Sequence, residues 1–150
     1  MKENRAFEEY YLKLWGSRWA ALQESLLLPA VPVPYAQGLA KPYMMDHASV
    51  LAASSLRLNA GGVILDACAA PGGKSLVLAS RMGDAATLLA NELSAERRRR
   101  LSNVLDEYLG AELRRRVTVS GFDSGVQGGR PSEHKRFDAV LLDAPCSSER

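Results

Sequence analysis

Apolar positions fall at helical spacing in the first part of this chain and in short unbroken runs later. Phe7, Tyr11, Leu14, Trp15, Trp19 and Leu22 lie three or four residues apart. That spacing predicts one amphipathic helix over residues 4–28, weakened locally by Gly16. Its aromatic face is either a packing surface or a platform on which bases stack. Residues 29–45 are rich in proline and predict a linker running over the surface. Asp46 is a fair N-cap for a second helix over 46–58, which Asn59-Ala-Gly-Gly62 ends.

From Val63 onward the pattern changes. Short apolar runs predict strands at Val63–Asp66, Thr87–Asn91, Val117–Ser120 and Phe137–Asp143. Helical patterns separate the first three, at Ser75–Met82 and at Ser94–Leu109, the latter with Ser94 as N-cap. Strands alternating with helices mean βαβ units and a parallel sheet. The expected class is α/β, an open Rossmann-like sheet of about four strands behind N-terminal helices. Residues 123–136, with Gly, Ser and Arg, read as a loop. The fourth strand would sit at an edge with its backbone groups unpaired. Residues 1–45 read as a helical extension and linker, and 46–150 as the sheet domain.

Composition narrows the class only a little. The 150 residues are 47% hydrophobic and 24% charged, ordinary for a globular chain. A net charge of +2 does not advertise a nucleic-acid partner, so any such argument rests on where the charges lie. Both cysteines, Cys68 and Cys146, fall in motifs, and no disulfide framework is visible. A reducing, intracellular setting is expected. The apolar stretch Leu26–Tyr35 is broken by three prolines, so no membrane-spanning helix is expected.

The candidate chemistry concentrates in Asp66-Ala-Cys-Ala-Ala-Pro-Gly-Gly-Lys-Ser75. A strand enters this small-residue turn and a helix leaves it, the place where an α/β sheet receives a nucleotide-like cofactor. Gly72 and Gly73 would let backbone approach a ligand. The helix start beyond them offers free N–H groups. Acidic residues follow each strand: Asp66, Glu92, Asp123 and Asp143. Carboxylates there suit a cofactor rich in donors. Glu92 lies 26 positions after Asp66, near the roughly 20-residue offset of a ribose-binding carboxylate in dinucleotide folds. Asp123 would accept from an adenine amine. Asp66 and Asp143 would face the reacting end.

The string Cys68-Ala-Ala-Pro-Gly-Gly-Lys74, paired with Asp143-Ala-Pro-Cys-Ser147, closely resembles the Sun-family RNA 5-methylcytosine methyltransferases. The resemblance spans roughly Asp46 to Arg150. It implies a seven-stranded S-adenosylmethionine (SAM) fold, of which this chain would be the N-terminal portion, and an RNA substrate. It implies a cofactor site of Asp66, Cys68, Ala69, Ala70, Pro71, Gly72, Gly73, Lys74, Glu92, Arg97, Asp123 and Asp143. It implies catalytic roles for Asp143, which would hydrogen-bond the target base, and Cys146. In the family a thiolate adds to carbon 6 of cytosine, which makes carbon 5 nucleophilic toward the SAM methyl. The nucleophile lies in a Thr-Cys motif, and the Pro-Cys cysteine, here Cys146, assists product release. This sequence holds no Thr-Cys pair. Binding of SAM without efficient transfer is therefore the expectation for the chain alone. Cys68 reads as a packing residue or cofactor neighbour.

A P-loop is the sharpest rival. Cys68-x4-Gly73-Lys74-Ser75 departs from that motif only at its first position, and Ala139–Asp143 resembles its Mg²⁺-holding strand. Cys68 in place of glycine, and Pro71 in a loop that would donate N–H groups, count against it. A SAM- or RNA-binding fragment without activity is the other alternative. Two arginine clusters, Arg97–Arg100 and Arg114–Arg116, read as a solvated face or as contacts to RNA phosphates. Consecutive arginines wrap around a helix, so some must pair with Glu92, Glu96 or Asp106.

Overall fold

The computed structural model describes residues 2–29, 31–128 and 135–144. The chain divides into two compact units, one running up to Val31 and the other from Pro32 onward.

The first unit corrects the expected single helix. Helix α1 (Lys2–Trp15) ends in a 3₁₀ turn (Gly16–Arg18), and α2 (Trp19–Leu27) follows. Gly16 adopts φ +54°, a left-handed value that an α-helix cannot contain and that glycine reaches without strain. The break lets Trp19 pack onto the preceding helix. Its ring stacks on Tyr11 at 4.9 Å and meets Phe7 edge-on at 5.9 Å. Its indole N–H donates to Glu8 at 2.8 Å, so the polar edge of a buried aromatic is satisfied. Tyr11 and Trp19 are thus occupied with each other. For these two rings, packing accounts for the aromatic spacing.

The second unit holds a four-stranded parallel sheet in the order β5-β4-β3-β6. Its strands are β3 (Gly61–Asp66), β4 (Ala85–Asn91), β5 (Val117–Ser120) and β6 (Ala139–Leu141). Ile64 pairs with both Leu88 and Ala139, which makes β3 central. β6 lies at the edge, as expected, but is shorter than Phe137–Asp143.

Helix α3 (His47–Ser55) is capped by Asp46, whose carboxylate accepts from Ala48 N–H at 2.9 Å. Helix α4 (Gly73–Arg81) buries Leu76, Val77, Leu78 and Ala79 completely. Four consecutive buried residues mean that α4 is covered on every side. Helix α5 (Ala95–Tyr108) starts at its expected cap, Ser94, and sends Leu101 and Leu105 into the same core.

The proline-rich stretch expected as linker contains structure. β1 (Val33–Tyr35) and β2 (Tyr43–Met45) form a small antiparallel ribbon. Each strand is only three residues long, too short for a periodic signal. The ribbon is anchored from both ends. Tyr35 and Ser80 hydroxyls meet at 2.7 Å, and Ala40 N–H donates to Tyr108 C=O at 2.9 Å. Tyr43 meets Tyr108 edge-on, and Lys41 lies over the Tyr108 ring. Two short helices were also absent from the sequence reading: α6 (Ala111–Arg115) and, inside the expected 123–136 loop, α7 (Ser124–Gly128).

Candidate functional site

The carboxyl ends of the strands open onto two cavities that share Cys68 of the turn after β3. The larger, about 620 Å³, is lined by Ala67, Cys68, Glu92, Arg97, Phe122 and Asp123 among others. The smaller, about 220 Å³, is lined by Tyr43, Ser49, Pro71, Gly73, Lys74 and Asp143 among others. Ala69 and Ala70 face the smaller one, and Cys68 lines both. The residues expected to form one cofactor site therefore divide between two chambers.

In the larger chamber Glu92 is a buried carboxylate at the end of β4, 5% exposed. One oxygen accepts from Ser94 N–H at 2.9 Å, and the other lies 3.4 Å from the Arg97 guanidinium. Arg97 also donates to Ala70 C=O at 3.0 Å, which ties the turn to the start of α5. Asp123 uses Oδ1 to cap α7, accepting from Gly125 and Val126 N–H at 2.9 and 3.2 Å. Its other oxygen makes no hydrogen bond among the described residues. Capping and ligand binding are compatible here, because they use different oxygens.

In the smaller chamber Lys74 donates to Ser49 Oγ at 2.9 Å and pairs with Asp143 Oδ2 at 2.7 Å. The Lys74 side chain is 20% exposed and that of Asp143 56%. The chamber thus presents a half-buried cation beside a wetter carboxylate.

Asp66 lines neither chamber. It is 1% exposed, and Ser75 Oγ donates to its Oδ2 at 2.6 Å, linking the end of β3 to the start of α4. Its Oδ1 is buried without a partner among the described residues. Burial pushes this carboxyl up from 3.8 to about 6, against the Ser75 hydrogen bond, the Cys68 backbone and the Lys74 charge. Gly72 also lines neither chamber. It sits at φ +122°, and a Cβ there would lie 2.9 Å from Val104 Cγ1 and 3.3 Å from Leu101 Cδ1. The approach of α5 is by itself a reason for glycine at 72. Burial, with Glu92 and Asp66 nearby, pushes the Cys68 thiol up, which disfavours a thiolate there. Cys146 lies outside the described residues.

Sequence reasoning missed Asn91. It is 1% exposed at the end of β4. Its amide nitrogen donates to Ala67 C=O, Phe122 C=O and Ser124 Oγ, and its oxygen accepts from Ser120 Oγ and Phe122 N–H. One side chain therefore fixes the ends of three successive strand–loop junctions around the larger chamber. The only available signal was an amide in an otherwise apolar strand.

The arginine clusters serve the fold to a large extent. Arg98 donates to Glu92 and Leu93 carbonyls at 2.8 and 3.0 Å. Arg114 pairs with Asp106 and donates to Val117 C=O. Arg115 pairs with Glu112. Arg116 reaches the carbonyls of Gly83, Asp84 and Ala86. Arg99 and Arg100 remain exposed, with no hydrogen bond or ion pair among the described residues.

The larger chamber fits SAM by its chemistry. Glu92 and the uncommitted Asp123 oxygen are acceptors for hydroxyl and amine donors, while Leu93, Phe122 and Leu142 supply apolar walls. Parallel strands, the turn into α4 and acidic residues at the strand ends together give a Rossmann-like domain with a site suited to a nucleoside-bearing cofactor such as SAM. A methyltransferase homologue from Pyrococcus horikoshii shares this fold, with a TM-score of 0.72 at 20% identity over 95% of this chain and 59% of that one. The chain belongs to the 16S rRNA methyltransferase RsmB/F family, whose model matches residues 53–150. It is 42% identical over 115 residues to the 5-cytosine rRNA methyltransferase NSUN4 of Bos taurus, covering 75% of this chain and 29% of that relative. NSun6 from Pyrococcus horikoshii, solved with the SAM analogue SFG, superposes with a TM-score of 0.58 at 26% identity. That match covers 74% of this chain and 27% of the other. The chain thus spans less than a third of the length of either relative.

Proposed function

We propose that this chain forms the cofactor-binding part of an intracellular enzyme that methylates carbon 5 of cytosine in RNA. SAM, when bound, supplies an electrophilic methyl group. Glu92 would accept from the ribose hydroxyls and Asp123 from the adenine amine. Arg97 would hold Glu92 and the turn in register. Asp66 would act from behind, through Ser75, as a support for the turn.

One observation supports a base site beside the cofactor. Lys74 and Asp143 place a donor and an acceptor side by side in the smaller chamber. Cytosine offers an exocyclic amine donor next to a ring-nitrogen acceptor, whereas uracil offers the reverse order. Asp143 accepting from the amine and Lys74 donating to the ring nitrogen would read cytosine; the opposite assignment would read uracil, so the choice of cytosine rests on the family resemblance. Cys146 would serve in release of the product, as the family resemblance implies.

Calorimetry of the chain with SAM, its demethylated product and ATP–Mg²⁺ tests the cofactor assignment. Binding of the first two and not the third is the expected result. Transfer of labelled methyl from SAM to RNA by the enzyme containing this chain, recovered as 5-methylcytidine after digestion, tests the reaction. Binding of ATP–Mg²⁺ in place of SAM, or label recovered on another nucleoside, would overturn the proposal.

A further inference from the structure

An ammonium group has three N–H donors and no acceptor. Lys74 spends one on Ser49 and one on Asp143, which leaves one for whatever fills the smaller chamber. The two partners differ in kind. Asp143 follows the edge strand β6 and is more than half exposed, so its pair with Lys74 is weakened by water. Lysine also carries its charge on a flexible four-carbon stem, and one wet ion pair does not fix the direction of the remaining donors. Ser49 comes from a different element. It lies in the first turn of α3, whose start is pinned by the Asp46 cap. With one contact from α3 and one from the end of β6, the ammonium is held at two points and its third donor has a defined direction.

We infer that Ser49 is a positioning residue: its hydroxyl, accepting from Lys74, aims the free Lys74 donor into the smaller chamber. The inference deepens the methyltransferase reading and rests on it for its consequence in catalysis. The hold on Lys74 itself does not depend on that reading. Loss of the hydroxyl would release the ammonium toward Asp143 and solvent. Asp143, already paired with Lys74, would then be its only anchor, and the remaining donors would lose their fixed direction.

The test compares Ser49→Ala and Ser49→Thr with the unaltered protein by two readouts. Trace acylation with acetic anhydride, read by mass spectrometry, reports the freedom of Lys74 against exposed Lys13 as internal standard. Lys74 should label several-fold more slowly than Lys13 in the unaltered protein. Ser49→Ala should abolish most of that difference, and Ser49→Thr, which keeps the hydroxyl, should retain it. In the methyl-transfer assay of the enzyme containing this chain, Ser49→Ala should lower kcat about 10-fold, the scale of one hydrogen bond to a charged group. SAM affinity should stay within about twofold, and Ser49→Thr should restore most of the rate. Unchanged Lys74 labelling in Ser49→Ala overturns the inference. So does a matched fall in SAM affinity that threonine fails to rescue, since that is the signature of a loosened α3. If Lys74 is released as expected but the enzyme containing this chain neither binds SAM nor transfers methyl, the hold of Ser49 on Lys74 stands and the methyltransferase reading is what fails.

Discussion

Gly72→Ala separates two reasons for a glycine in the turn after β3. At φ +122° an alanine is strained, and its Cβ would lie 2.9 Å from Val104 Cγ1 and 3.3 Å from Leu101 Cδ1. Leu101 is fully buried in the core. Val104 is β-branched on a helix, so its χ1 has little room to turn away. A left-handed conformation costs an ordinary residue about 1–2 kcal/mol. Overpacking by one carbon costs about 1–3 kcal/mol. The substitution should therefore destabilise the protein by about 2–5 kcal/mol. Urea unfolding should show a lower midpoint at unchanged slope. Val104→Ala makes room for the new methyl, so it should cost less in the Gly72→Ala background than alone, with a coupling of about 1–3 kcal/mol. Backbone strain should persist in the double variant. If Gly72→Ala is as stable as the parent, the packing argument is wrong; if it is as stable and also fails to bind SAM, the ligand argument takes its place.

Three further outcomes are expected. Asp66 binds its proton more tightly folded than unfolded, since its carboxyl rises from 3.8 to about 6; between those values the native state holds more protons, so stability falls as pH rises. The stability of the parent relative to Asp66→Asn should therefore drop by about 3 kcal/mol from below pH 4 to above pH 6, and a flat difference in urea titrations would refute it. Glu92→Gln should weaken SAM and its demethylated product alike, by about 1.5–3 kcal/mol per hydrogen bond lost, because both carry the ribose; calorimetric loss for SAM alone would assign Glu92 to the sulfonium instead. Arg116→Met should destabilise the fold by about 1–3 kcal/mol while leaving RNA affinity unchanged, because its Nη1 is committed to the Gly83, Asp84 and Ala86 carbonyls and holds the guanidinium against the fold; reduced RNA retention on filters with unaltered stability would return this arginine to the RNA face.

Features written in local sequence were legible. Asp46 and Ser94 were readable as caps because each accepts from an N–H two or three residues onward. The apolar run at 63–66 was readable as a strand because buried parallel strands need no alternation, and Val117-Thr-Val-Ser120 because it alternates and carries β-branched residues. Features that depend on distant partners were not. Arg116 is joined to carbonyls 30 to 33 residues away, and nothing near it in sequence announces them. The ribbon at 33–45 takes its stability from Ser80 and Tyr108, not from its own pattern. At the site, the glycine loop and acidic strand ends pointed to a cofactor. Their division into two chambers depends on which side of a tight turn each residue faces. Lys74 and Glu92 therefore looked alike in sequence and stand in different chambers.

Cys68 lines both chambers, so the turn that carries it is a common wall. A ligand on one side that stiffens or shifts this wall alters the other side as well. Any such effect is reciprocal: the factor by which cofactor changes the affinity for a base is the factor by which the base changes the affinity for cofactor. Cys68 is therefore poorly suited to tuning one ligand alone. Glu92 and Asp143, each facing a single chamber, are where the two affinities can be adjusted independently.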